Sequence, residues 1–126
     1  MLARLDRDDQ IHCGAIDWLE LDRWHVGRVV LIGDAAHASS PMMGQGGSMA
    51  MDDALVLAEA LHSTADVEAA LVAFVARRRP RVDWVQRGCR AVVEMLGMPR
   101  DVRRAVLRER GALALRDRFQ PLTAAP

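Results

Sequence analysis

The sequence predicts a mainly α chain with a small β element. Three observations predict it. From residue 47 onward apolar residues recur three and four apart, the period of helices with one buried face. A single β-branched apolar run occurs, Val29-Val30-Leu31-Ile32, ending at Gly33. Beyond that run nothing alternates with the period of a strand.

Residues 1–9 are charged and read as a loop or a frayed start. Residues 10–24 alternate in part, with Ile16, Trp18 and Leu21 as apolar marks, and predict one or two short strands. His25 to Arg28 reads as a turn. Val29 to Ile32 reads as a strand buried on both faces, the central strand of an α/β sheet. Such a strand needs ladder partners for its backbone groups. None follows it, so the expected partner strands belong to a part of the protein outside this chain. Residues 34–47 read as a loop rich in turn formers. A helix is expected from about Gly47 to Leu61, with Met51, Ala54, Leu55, Leu57, Ala58 and Leu61 as its apolar positions. Asp66 is a good N-cap for a second helix, Val67 to about Arg79. Pro80 either kinks that helix or opens the next at its first turn. A third helix is expected from about Arg81 to Leu96, ended by Gly97 and Pro99. Asp101 caps a fourth, about Val102 to Arg118, and the tail QPLTAAP reads as disordered.

The chain has 126 residues, 51% of them hydrophobic, enough for one modest domain with a core. Seventeen basic residues, all Arg, balance seventeen acidic ones. That balance gives no reason to expect nucleic acid or an anionic membrane as partner. Cys13 and Cys89 lie far apart, form no metal-spaced cluster, and read as two reduced thiols. No apolar run approaches the roughly 18 residues of a membrane helix. The N-terminus is too charged for a signal peptide. A cytoplasmic protein is expected.

The chemistry is carried by Gly27 to Leu61. A strand delivers Gly33-Asp34 at its carboxyl end, where α/β proteins bind ligands. A carboxylate there can accept hydrogen bonds from the hydroxyls of a ribose or other polyol. Gly44, Gly46 and Gly47 remove side chains just before a helix, so a flat or bulky group can approach the backbone. The free N–H groups and positive dipole end of that helix favour negative charge. Pro41 stiffens the approach. A long polyol bearing a flat ring that can become anionic fits these parts.

Gly33-Asp34-Ala35-Ala36-His37, Pro41, Gly44-Gln45-Gly46 and Asp53-Ala54 match in order and spacing the second FAD motif of the class A flavin-dependent aromatic hydroxylases. The chain resembles that family, which includes para-hydroxybenzoate hydroxylase and polyketide monooxygenases, over roughly Trp24 to Arg81. The resemblance implies that Asp34 holds the ribityl chain of FAD. It implies that Pro41 lies near the isoalloxazine. It implies that Gly44, Gln45, Gly46, Gly47 and Ser48 face the pyrimidine end, where a helix dipole stabilises negative charge at N1–C2=O. Ser48 stands where many members have Asn.

The resemblance further implies the C-terminal part of an α/β FAD-binding domain, incomplete here. Residues 1–26 would end the connecting strands of a substrate domain. Residues 27–62 would form the strand–loop–helix FAD motif, 63–118 the C-terminal helices, and 119–126 a tail. The parent family uses FAD and NAD(P)H to hydroxylate an aromatic or polyketide-like ring with O2, and the cofactor carries the chemistry. No GxGxxG turn for the ADP half occurs in the sequence. The expected partner is therefore a missing N-terminal FAD and substrate domain, or a second copy of the chain. No residue here need act as acid or base. A rival reading is a non-catalytic helical module for assembly or dimerisation. Another keeps the flavin and makes the parent a reductase, epoxidase or halogenase.

Other features take plainer readings. His37 reads as a structural histidine bonding a nearby loop. His12-Cys13 reads as packing. Met42 and Met43 are balanced between lining the flavin and filling the core. Arg77, Arg78, Arg79 and Arg81 read as a solvated helix face, as do Arg103, Arg104, Arg108 and Arg110.

Overall fold

The computed structural model describes residues 7–123 and 125. It is mostly helical with one two-stranded antiparallel sheet. The strands are β1 (His25–Val26) and β2 (Val29–Val30). Four α-helices follow: α1 (Asp34–His37), α2 (Gly46–Ser63), α3 (Val67–Gly97) and α4 (Arg100–Phe119). Short 3₁₀ turns occupy Asp8–Gln10, Pro41–Met43 and Gln120–Thr123. The expected readings of residues 1–6 fall outside the described residues.

The mainly helical expectation holds, and the β element departs from it. β2 is two residues long, pairs back on β1 in the register His25 to Val30 and Val26 to Val29, and turns over Gly27 at φ 54°. The ladder gains one more bond, Leu31 N–H to Trp24 C=O at 2.8 Å. Val29 is 71% exposed, and Leu31 and Ile32 are each 38% exposed. The expected doubly buried central strand is therefore an exposed hairpin arm among the described residues.

Residues 11–24 form no strand either. The carbonyls of Leu19, Leu21 and Asp22 find side chains instead of a ladder. Arg79 donates to the carbonyls of Leu21 and Asp22 at 2.7 and 3.0 Å, and Gln86 donates to that of Leu19 at 2.9 Å. Residues 18–22 lie along α3, where Arg79, Gln86 and Arg90 meet them.

α2 and α3 make the main helix pair. α2 buries Met49, Asp53 and Val56; α3 buries Leu71, Phe74, Arg78, Val82, Val85 and Cys89 among others. Those spacings of three and four put each set on one helix face. With Trp24, Ala36 and Met43 these apolar residues form the core. The Trp24 ring bridges the elements, 5.2 Å from His37 and 6.4 Å from Phe74 by ring centroids, with the Arg79 guanidinium carbon 5.1 Å from its own centroid.

The helix ends differ from expectation in detail. Asp66 caps α3 as expected, accepting from the N–H groups of Glu68 and Ala69. Pro80 does not open another helix: α3 continues through it to Gly97, so the expected second and third helices are one. An exposed proline in mid-helix forfeits one backbone bond, and packing on both sides of it keeps the helix whole. α4 starts at Arg100 with Pro99 at its cap, so Asp101 lies inside the first turn. No described residue of α4 is buried. Residues 120–123 of the expected disordered tail form a 3₁₀ turn, and Arg81 donates to the Leu122 carbonyl at 2.9 Å.

Candidate functional site

Gly33 turns the chain out of β2's path. Its φ of 57° and ψ of −143° lie where a side chain is strained, and a Cβ there would stand 3.2 Å from Ala50 Cβ on α2. Its N–H donates to Asp53 Oδ2 at 2.8 Å. Its carbonyl accepts from the N–H groups of Ala36 and His37 at 2.9 and 3.0 Å. Held at both ends, Gly33 serves as N-cap of α1 and leaves Asp34 exposed at the first helical position. Asp34 is thus no cap itself.

After α1 the chain passes exposed Pro41, which opens a 3₁₀ turn, and buried Met43, and reverses at Gly44 with φ 62°. Gln45 is the N-cap of α2, yet its side chain makes no cap bond and turns back to the Met43 carbonyl at 3.3 Å. No acidic residue occupies the first turn. Gly46, Gly47 and Ser48 are exposed there, so the positive end of an 18-residue helix meets solvent without a side-chain cap. A Cβ on Gly46 would lie 3.9 Å from Asp34 Oδ1, and one on Gly47 or Gly44 would meet nothing within 4 Å. The structure thus brings Asp34 beside the start of α2, with open space over the glycines.

Beneath this surface lies a buried polar cluster that the sequence reading did not assemble. Asp53 is fully buried and joins α2 to α1, to the N-cap of α1 and to α3. Its Oδ2 accepts from Gly33 N–H and lies 2.7 Å from His37 Nε2, and its Oδ1 accepts from Arg78 Nε at 2.7 Å. Arg78 is itself fully buried, and also donates to the Met49 carbonyl at 3.2 Å and to Asp52 Oδ2 at 3.4 Å. Burial is the largest influence on the Asp53 carboxyl and pushes its pKa up. The hydrogen bonds from His37, Gly33 N–H and Arg78 together outweigh it and hold the carboxyl below the ordinary aspartate range.

Arg78 corrects the reading of its run as a solvated face. Arg77 is exposed and pairs with Glu59 at 2.7 Å, but Arg78 has no exposure and Arg79 and Arg81 are half-buried. The missed signal was phase. Arg78 falls in register with Leu71, Phe74, Val82, Val85 and Cys89, and Asp53 falls in register with Met49 and Val56. Opposite charges set into two facing apolar stripes announce a buried pair. His37 is structural as read, though its partner is a helix residue rather than a loop. Met43 goes to the core and Met42 stays exposed. Cys13 is exposed and Cys89 buried, both free. Among the described residues no His, Cys, Asp and Glu cluster could hold a metal, and no helix is long and apolar enough to cross a membrane.

A cavity of about 250 Å³ is lined by Trp24, Ala36, His37, Arg79, Asp83 and Gln86 among others, and none of the expected cofactor residues lines it. The candidate site is the open surface between Asp34 and the start of α2.

Comparison with known proteins supplies the family. The family model described as an FAD binding domain matches residues 18–88, more than half the chain. The chain belongs to this FAD-binding domain family, and its cofactor is FAD. A Bacillus subtilis (strain 168) protein named as an FAD-dependent monooxygenase, YetM, is 56% identical over 63 residues, 50% of this chain and 17% of that protein. Kynurenine 3-monooxygenase of Stenotrophomonas maltophilia (strain K279a) is 49% identical over 74 residues, 58% of this chain and 16% of the enzyme. The Xanthomonas oryzae pv. oryzae (strain PXO99A) enzyme of that name is 46% identical over the same length. The match thus spans about a sixth of the length of these relatives.

The residues present fit the flavin and ribityl part of FAD. An exposed carboxylate suits ribityl hydroxyls, and an uncapped helix start flanked by glycines suits a flat, electron-rich ring edge. No GxGxxG turn for the ADP part occurs in the sequence.

Proposed function

We propose that the chain supplies the flavin-facing half of the FAD site of a monooxygenase that hydroxylates an aromatic or polyketide-like substrate. The observation that carries the reading is the placement of the Asp34 carboxylate next to Gly46 at the uncapped start of α2. Asp34 accepts hydrogen bonds from the ribityl hydroxyls. The N–H groups of Gly46, Gly47 and Ser48 face the pyrimidine edge, and the helix dipole favours negative charge there. Gly44 and Gln45 shape the turn, and Pro41 borders the ring. Bound FAD supplies the oxygen chemistry, using NAD(P)H as reductant and O2, while these residues bind and orient it.

In this reading residues 27–62 are the FAD motif and residues 63–118 the helices that brace it. The ADP half of the cofactor and the substrate are held by another domain or another chain. Apolar exposure at Val29 in the hairpin, at Leu31 and Ile32 after it, and at Met51 and Leu55 on α2, is surface that such a partner would cover. Competition tests the division of the cofactor. Riboflavin should displace FAD from the purified chain and ADP should not. Displacement by ADP alone would overturn the assignment of the flavin half to this surface.

A second reading, assembly without catalysis, draws on α4. That helix has no buried residue and exposes Val102, Val106, Leu107, Leu113 and Leu115. Sedimentation showing a concentration-dependent dimer that binds no flavin would favour it.

A further inference from the structure

The site described above is built on groups at the end of a hairpin, in a short helix and at the start of a long one. Nothing in their own bonding locks Asp34 against α2. Asp53 supplies that lock. It projects from α2, and its two oxygens tie down the backbone N–H of the residue before Asp34, a side chain of α1 and a side chain of α3. Arg78 completes it from α3. Its Nε holds Asp53, and its terminal nitrogens hold Asp52 and the Met49 carbonyl in the first turn of α2. Gly33 takes a conformation with positive φ, and its N–H is fixed by the Asp53 carboxylate.

We propose that Asp53 and Arg78 are positioning residues for flavin binding, which set the Asp34 carboxylate at its working distance from the N-terminus of α2. The proposal rests on the cofactor reading given above. Neither side chain touches the flavin, since both are fully buried. Their action is through Gly33 and Met49.

The chemistry of substitution is specific. An asparagine at position 53 has the shape of aspartate but only one accepting oxygen. If that oxygen takes Arg78, the amide nitrogen faces the Gly33 N–H, donor against donor. If it takes Gly33, the amide faces Arg78 Nε in the same way. A lysine at position 78 keeps the charge but cannot span Asp53, Asp52 and the Met49 carbonyl with one ammonium group.

A double-mutant cycle on the full chain reads the coupling. FAD binding is titrated by flavin fluorescence for the unaltered chain, Asp34→Asn, Asp53→Asn and the double variant, with Arg78→Lys as a second route to the same lock. Circular dichroism at the titration temperature confirms that each variant is folded. Asp34→Asn is expected to weaken binding about tenfold, the loss of a hydrogen bond to a charged group. Asp53→Asn and Arg78→Lys should each weaken it at least as much without contact to the ligand. In the Asp53→Asn background Asp34→Asn should cost less than twofold more, because the carboxylate has already lost its place. A merely structural Asp53 would give losses that multiply. Multiplying losses, or full affinity in both Asp53→Asn and Arg78→Lys, would overturn the proposal and leave the cofactor reading standing. Failure of the unaltered chain to bind FAD would overturn both.

Discussion

Arg78 Nε donates to Asp53 Oδ1 at 2.7 Å, and neither side chain has any solvent exposure. A charge pair so placed stabilises chiefly by its completeness: each partner is satisfied only while the other is there. Arg78→Met should therefore cost about 3–5 kcal/mol, since it strands a buried carboxylate. Chemical denaturation of the two proteins checks this, and a loss under about 1 kcal/mol would show that water reaches Asp53.

Asp53 also gives the fold an acid-sensitive element. Its carboxyl titrates below the ordinary aspartate value because the bonds from His37, Gly33 and Arg78 outweigh its burial. At acid pH the unfolded chain then binds the extra proton, so this contribution to stability rises with pH. It is complete above about pH 4, the unfolded value, and is lost as pH falls through the lower folded value. Melting temperature against pH should fall less steeply below about pH 4 for Asp53→Asn than for the unaltered chain. Parallel curves would contradict the assignment.

Gly33 should tolerate no side chain. Alanine there takes a φ of 57° and brings its Cβ to 3.2 Å from Ala50 Cβ. A cost of about 1–3 kcal/mol is expected from the backbone alone, read as a lowered denaturation midpoint. Gly47 offers the contrast, with nothing within 4 Å of a Cβ.

Gly47→Asp should separate stability from binding. An aspartate in the first turn of α2 interacts well with the helix dipole, worth about 0.3–1 kcal/mol, so the melting temperature should hold or rise. The same carboxylate occupies the place proposed for the flavin's electron-rich edge, so FAD affinity should fall at least tenfold. Unchanged affinity would remove the helix start from the site.

Core and periphery should respond differently. Phe74 is fully buried against Trp24, and Phe74→Ala should cost about 3–5 kcal/mol. Leu113 on α4 is 54% exposed, and Leu113→Ala should stay within about 0.5 kcal/mol. A large loss at Leu113 would mean that α4 is covered in solution, as the assembly reading requires.

The helices were legible because their apolar period is local: Met49 and Val56, or Phe74, Val82 and Val85, announce a buried face without reference to anything else. The β element was not. Whether Val29 to Ile32 is a central strand or a hairpin arm depends on which backbone it meets, and the partner was the unremarkable His25-Val26. Residues 10–24 misled for the same reason, since the side chains of Arg79 and Gln86 that satisfy the Leu19, Leu21 and Asp22 carbonyls lie more than fifty residues away. Of the site, Asp34 and the Gly44–Ser48 turn were readable as a motif. Its scaffold was not assembled, because Arg78 was read with its basic neighbours in sequence and not with its helical phase.

Titration of FAD into the unaltered chain and into Asp34→Ala tests the central claim most directly. Saturable binding at one flavin per chain, weakened about tenfold or more when the carboxylate is removed, is the expected result. Equal affinity of the two proteins, or no flavin binding by the unaltered chain, would contradict it.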